Sequence, residues 1–164
     1  MTVLLEGRLA REDRVELGDA CPIDRTSALL ARRSTILLLR EASYGTSKYD
    51  DFVRRTGLTE SVTAAQLRNL TDEGLLQKRA YREPSQRQRF EYILTAAGHD
   101  LVPILLALAT WGDRHRPLPH ELRMVHAGCG ADIEVDVRCA EGHQVGEGEV
   151  VVGLEPRRHD PTIQ

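Results

Sequence analysis

Aromatic residues are scarce in this sequence: two Phe, one Trp and four Tyr make up 4% of its 164 residues. Its core must therefore rest mainly on Leu, Val, Ile and Ala. Cysteine is nearly absent as well. Cys21, Cys129 and Cys139 are an odd set, which argues against a disulfide framework and leaves thiols that are buried, metal-bound or reactive. Long hydrophobic runs are missing too. The most apolar stretch, Leu101 to Ala109, is too short to span a bilayer and contains Pro103. The opening MTVLLEGRLARED meets charge too early for the apolar region of a signal peptide. A cytoplasmic protein with no membrane partner is the expectation. There is no internal repeat, nucleophile motif or phosphate loop, and no paired acids at a plausible cleft. His99, His115, His120 and His159 have no partners at catalytic spacing, so an enzyme is not expected.

What the chain does have is ordinary bulk and uneven charge. At 41% hydrophobic and 29% charged, it can bury one medium domain with a small appendage. The formal net charge of −3 hides a partition. Residues 25–116 carry 15 Lys and Arg against 10 Asp and Glu; residues 1–24 carry 3 against 6, and residues 117–164 carry 4 against 9. A basic middle between acidic ends puts the phosphate-seeking charge in one place.

That middle also holds the most informative pattern, residues 48 to 98. Cys21-Pro22 opens a helix, since proline is tolerated in a first turn. From Arg25 to Ala42 the apolar positions predict a buried helix or a broken pair of helices. Ser47 is the expected N-cap of the next helix, which runs to about Thr56 and stops at Gly57. Thr59 can cap a further helix from Glu60 to Glu73. At 100° per residue its Thr63, Leu67 and Leu70 share one face. Ser61, Ala65, Arg68 and Asp72 fall opposite, with Val62, Gln66 and Asn69 at the margins. Leu75 to Arg82 and Arg89 to Thr95 then read as two antiparallel strands around a Glu83–Gln86 turn, crowded by Lys78, Arg79, Arg82, Arg87 and Arg89. Thr95 caps a last helix to about Arg114, apolar on most faces, for which the simplest cover is a second copy of itself.

Helix, turn, helix and cationic hairpin in that order describe a winged helix-turn-helix, mostly α with a β wing. Pro117-Leu118-Pro119 marks a boundary. Beyond it Leu122–Val125, Ile133–Arg138 and Glu149–Leu154 look like short strands, with Ile133, Val135 and Val137 alternating toward a buried face. The expected domains are an arm (1–20), a winged helix-turn-helix for DNA binding and dimerisation (21–116), and a small β-rich C-terminal extension with a frayed tail (117–164).

These residues match a known pattern. Cys21-Pro22-Ile23, Leu37-Leu38-Leu39-Arg40, Tyr49-Asp50-Asp51-Phe52, Leu67-Arg68-Asn69-Leu70 with Gly74-Leu75-Leu76, Phe90 to Gly98, and Trp111-Gly112 together make the chain resemble the HxlR-type transcriptional regulators, relatives of the MarR-like winged-helix proteins. The resemblance covers roughly Cys21 to Arg114. Three positions depart from it. Ser34 stands where the family usually has Trp, Thr63 where it has Leu, and Gln66 where Arg is common. The first two imply altered packing; the third implies a different operator. The resemblance implies a homodimeric regulator on an inverted repeat near a promoter, with dimer contacts from the N-terminal segment and the long apolar helix.

On this reading Ser61, Val62, Ala65, Gln66 and Arg68 face base edges or adjacent phosphates of double-stranded DNA. Arg82, Arg87 and Arg89 are the wing's candidate phosphate or minor-groove contacts. Cys21 lies at a helix N-terminus, a place that raises thiol reactivity. In some family members a cysteine there senses oxidants or electrophiles; in others it only packs. His126-Ala-Gly-Cys129 and Cys139-Ala-Glu-Gly-His143 have the spacing of a structural zinc site with two S and two N ligands. The alternative is a small β cap with buried cysteines and surface histidines. Two other functional readings stay open: a ligand-gated regulator with an aromatic metabolite in a dimer cleft, for which Ser34 and Thr63 would make room, and a winged-helix module for protein assembly without DNA.

Overall fold

The computed structural model describes residues 2–11, 17–81, 88–119 and 122–154. In chain order its elements are strand β1 (Val3–Leu5), helices α1 (Pro22–Leu30), α2 (Arg33–Ser43), α3 (Tyr49–Thr56) and α4 (Glu60–Asp72), strands β2 (Leu76–Tyr81) and β3 (Arg89–Leu94), helices α5 (Ala96–Asp100) and α6 (Val102–His115), and strand β4 (Val150–Val152). Short 3-10 turns occupy Gly7–Ala10 and Gly18–Ala20. The chain divides into two units, Ile23–Val135 and a second made of Met1–Pro22 with Asp136–Gln164.

The larger unit is mostly helical with a two-stranded wing. The apolar stretch after Cys21 is a broken pair of helices, because Arg32 adopts an extended conformation (φ −94°, ψ 129°) between α1 and α2. The core gathers Leu38 and Leu39 from α2, Phe52 from α3, Leu67 and Leu70 from α4, and Leu75, Leu76 and Leu94 at the wing root. Burying each of these side chains contributes about 1.5–3 kcal/mol. Phe52 meets Tyr92 edge-on, with ring centroids 6.4 Å apart at 81°. One charge is buried with them. Glu41, 5% exposed, accepts from Arg40 Nη2 at 2.7 Å and from the Thr46 hydroxyl at 3.2 Å. Those partners are what make a buried carboxylate tolerable at the exit of α2.

The turn between α3 and α4 follows from two residues. Gly57 sits at φ +65°, a left-handed conformation that stops α3 without strain only in glycine. Two residues on, the Thr59 side chain accepts from the Val62 amide at 3.4 Å and caps α4. Ser47 does not cap α3 as the sequence predicts. The N-cap is Lys48, with no side-chain cap bond. Ser47 instead accepts the Tyr92 amide through its carbonyl at 2.8 Å, and Lys48 bridges Glu91. Pairing with the wing takes the residue that local capping would have used.

β2 and β3 pair antiparallel from Leu76↔Leu94 to Tyr81↔Arg89. The wing is pinned at its root by Thr95. Its hydroxyl donates to the Gly74 carbonyl at 2.6 Å and accepts the Gly98 amide at 3.2 Å, capping α5. A Cβ on Gly98 would lie 2.2 Å from the Leu75 carbonyl oxygen, so only glycine lets α5 pass this close to the wing root. The single helix expected from Ala96 to Arg114 is broken at Leu101. Pro103, near the start of α6, has no N–H for a bond to the preceding turn, and a new helix starts around it.

In the second unit β1 and β4 pair in parallel, Val3↔Val150 to Leu5↔Val152. Val3–Glu6, within the segment 1–20 read as an arm, is thus joined by hydrogen bonds to β4. The strand expected at Ile133–Arg138 does not form, and Val135 and Val137 are 45% and 47% exposed. Alternation alone supplies no partner strand. What remains are isolated bridges, Val125↔Asp132 within the larger unit and Arg138↔Gln144 within the smaller.

Candidate nucleic-acid interface

α4 has a sharply divided surface. Thr63, Gln66, Leu67 and Leu70 are buried, while Ser61, Val62, Ala65, Arg68 and Asn69 are exposed. Gln66 is therefore a correction to the outer-face set. It is 8% exposed and accepts a hydrogen bond from the Thr35 hydroxyl at 3.0 Å, through Oε1. Helical geometry supplies the reason. At 100° per residue Gln66 lies about 60° from Thr63 and about 40° beyond Leu70, so it widens their stripe at its edge. The side chains presented outward by α4 are thus Ser61, Val62, Ala65 and Arg68, with Asn69 beside them. Thr63 is 0% exposed and turns its hydroxyl onto the Thr59 carbonyl at 3.0 Å.

α3 and α4 are tied at the entry of α4. The Tyr49 hydroxyl donates to the Glu60 carbonyl at 2.8 Å. Burial first, then the Glu60 and Asp50 charges, push the Tyr49 phenol above its ordinary value, so it keeps its proton and stays a donor.

On the wing, Arg89 is 57% exposed and 3.6 Å from Asp50, a loose surface pair that phosphate can displace. Arg82 and Arg87 lie outside the described residues. Arg79 is committed elsewhere: its Nε donates to Glu91 Oε1 at 2.8 Å. That hydrogen bond, with the Arg79 charge, the Ser47 hydroxyl and Lys48 adding to it, holds the Glu91 carboxyl below the usual carboxylate range. The sequence reading missed an aromatic component here. Lys78 Nζ lies 4.3 Å from the Phe90 ring centre and 5.9 Å from that of Tyr92, and Lys48 Nζ lies 5.2 Å from that of Tyr81. Cations over ring faces keep their charge at a fixed place. The signal was in the register: the alternation of Phe90 and Tyr92 sets both rings beside Lys78 once β2 and β3 pair.

α6 is apolar, yet none of its 14 residues is buried. Ile104, Leu108 and Trp111 are 43%, 50% and 56% exposed. Between α2 and α6 runs an apolar groove of about 330 Å³, walled by Ile36, Leu37, Leu105, Leu106 and Met124. Arg40 also lines it, and its Nε is buried with no hydrogen-bond partner.

The cysteines and histidines pair locally. In the larger unit His126 Nδ1 is 3.3 Å from Cys129 Sγ; in the smaller, Cys139 Sγ is 3.6 Å from His143 Nδ1. Zn–S bonds of about 2.3 Å and Zn–N bonds of about 2.0 Å at a tetrahedral angle put S and N about 3.5 Å apart, so each pair fits one edge of a zinc tetrahedron. No group of three or more His, Cys, Asp or Glu that could hold a metal is gathered among the described residues. Cys21 is a free, half-buried thiol at the end of a 3-10 turn, one residue before α1. Among the described residues no helix is long and apolar enough to cross a membrane.

With this geometry in view, comparison with known proteins is direct. A family model described as HxlR-like helix-turn-helix matches residues 29–119. An uncharacterised HTH-type transcriptional regulator of Mycobacterium tuberculosis is 32% identical over 119 residues, covering 71% of this chain and 74% of the relative. Among solved structures, PA1607, described as a candidate transcription factor, superposes with a TM-score of 0.68 at 28% identity, over 80% of this chain and 92% of its own. The redox regulator HypR in its reduced form superposes with a TM-score of 0.53 at 26% identity, over 58% and 94%. The chain belongs to the HxlR-like helix-turn-helix family and is a transcriptional regulator with a helix-turn-helix DNA-binding domain.

Proposed function

We propose that this regulator acts as a homodimer on an inverted-repeat operator, with α4 in the major groove and the wing against the backbone. The observation that carries the proposal is α6, an apolar helix of 14 residues with none buried. Exposed Ile104, Leu108 and Trp111 call for a cover, and a two-fold partner supplies the same face in return. On the DNA side Ser61, Val62, Ala65 and Arg68 meet base edges or phosphates, and Arg89 contacts phosphate, joined on the wing by Arg82 and Arg87. The test is an electrophoretic shift against the DNA flanking its own gene, across a salt series. Salt-insensitive binding, or none, would instead favour the winged helix as a protein-assembly module.

A second reading concerns gating. The groove between α2 and α6 holds one hydrogen-bonding atom without a partner, Arg40 Nε, and suits an aromatic molecule with an acceptor group, such as a metabolite. Cys21 is the candidate for a thiol-reactive signal, and the likeness to the redox regulator HypR supports it. Selective diamide labelling of Cys21 with loss of DNA binding is the check; equal labelling of all three cysteines would reduce it to packing. His126 with Cys129, and separately Cys139 with His143, are proposed as pairs of zinc-ligating side chains on their spacing and the S···N separation within each pair. Elemental analysis of untagged protein tests this, and metal far below one equivalent would reject it.

A further inference from the structure

Along one flank of α4, between its outward face and its buried stripe, lies a second cavity, about 360 Å³, between α1, α2 and α4. Its polar lining is Arg25, Arg32, Thr35, Gln66, Asn69 and Glu73; Ala28 and Leu29 complete it. Two features set it apart from an ordinary surface cleft. Its floor holds the buried Thr35–Gln66 pair, 1% and 8% exposed, beside an apolar core of Leu and Phe. With Oε1 of Gln66 taken up by Thr35, the amide NH2 of this more than nine-tenths buried side chain is the floor's remaining donor. Around the rim, Arg25, Arg32, Asn69 and Glu73 have no side-chain partner among the described residues.

We propose that this cavity binds an acidic amino acid, and that its occupancy biases α4. The charges are the argument. Two guanidiniums suit two carboxylates, each a planar, bidentate match. Glu73, the one acid in the lining, suits an ammonium. Ala28 and Leu29 suit a short aliphatic spacer, and Gln66 and Asn69 offer amide groups to a carboxylate oxygen. Three of the lining residues, Gln66, Asn69 and Glu73, belong to α4 or its C-cap. A ligand held there contacts the flank of the helix whose outward face is proposed to read DNA. Differential affinity for the DNA-bound and free arrangements would then couple the two sites reciprocally. That coupling rests on the proposed DNA-reading role of α4; the binding itself does not.

The experiment is isothermal titration of the full chain with L-glutamate, with glutarate (no ammonium) and L-glutamine (one carboxylate) as companions. L-glutamate is expected to bind with a Kd of about 1 mM or tighter, and the two companions about tenfold more weakly. Arg25→Gln and Arg32→Gln, both at exposed positions, should each weaken L-glutamate about tenfold, with thermal unfolding unchanged. Glu73→Gln should erase the preference over glutarate. No heat from L-glutamate at tens of Kd, equal binding of all three ligands, or indifference to both arginine variants would overturn the site. The DNA arm is separate: saturating L-glutamate should shift operator affinity at least about threefold. Binding without that shift overturns the coupling and leaves the site. Absence of any operator binding, with or without ligand, counts against the DNA reading, and the titration still decides the cavity.

Discussion

Gln66 shows how one side chain can be misread on a helix margin. Buried on Thr35, it is a stability residue before it is anything else. Gln66→Ala should cost about 1–3 kcal/mol, because it leaves the Thr35 hydroxyl buried without its acceptor. Thr35→Val with Gln66→Leu, which removes both polar groups at similar volume, should come close to wild type. Urea midpoints of Thr35→Val, Gln66→Leu and the pair close the cycle, and additive losses would refute the pairing. In the proposed DNA reading, base discrimination falls to exposed Arg68, whose replacement by Ala should cost about 1–3 kcal/mol at one base pair and little elsewhere. Glu91 makes a pH prediction. Its carboxyl is held below the ordinary range by Arg79, so the folded state binds its proton less readily than the unfolded chain. Its contribution is present at neutral pH and is lost as pH falls through the depressed value. Glu91→Gln should therefore be less stable than wild type at pH 7, with the gap closing in acid. A gap independent of pH would contradict the assignment.

At the scale of elements, α6 carries the sharpest expectation. Leu108 is half exposed, so Leu108→Glu should leave a folded monomer with near-normal thermal stability that no longer binds the operator. Sedimentation of the wild type as a monomer at micromolar concentration would remove the basis for the dimer. The helix-turn-helix itself was legible in the sequence because its boundaries are local chemistry: Gly57 needs a left-handed turn, and Thr59 caps through its own side chain. The wing strands were legible from their alternation. Elements that depend on distant partners were not. Ser47 was surrendered to Tyr92, and β1 pairs across almost the whole chain, where no local pattern points. Ile133, Val135 and Val137 alternate as a strand would, yet among the described residues they make only single backbone bonds, Ile133 to Met124 and Val145 to Val137, and no continuous ladder. The break at Leu101 was within reach, since Pro103 was in view. Of the site, the outer face of α4 was readable except at its margin. The cation–aromatic set of Lys48, Lys78, Tyr81, Phe90 and Tyr92 emerged only with strand register.

For the whole molecule, the partition of charge matters more than its sum. The basic residues of 25–116 include the wing and α4, and the acidic excess lies in the flanking segments. Binding should fall steeply with salt, with a slope set by the number of phosphates neutralised and not by the net charge of −3. Arg89→Ala should weaken operator and random DNA alike and flatten that slope by about one unit. An unchanged slope would take Arg89 off the backbone. In the proposed dimer, recognition helices about 34 Å apart, or a multiple, would match half-sites on one side of the duplex.

The parallel pairing of Val3–Leu5 with Val150–Val152 imposes an order in time. During synthesis the first strand leaves the ribosome long before its partner exists, and it must remain unpaired while the helices between them are made. Ile23–Val135 contains its own core and can collapse during that wait. The smaller unit closes only after residue 152 emerges, bringing together segments nearly a chain length apart at the entropy of a very long loop. Should the protein stall or be cut late in its length, the first casualty would be the strand at its beginning.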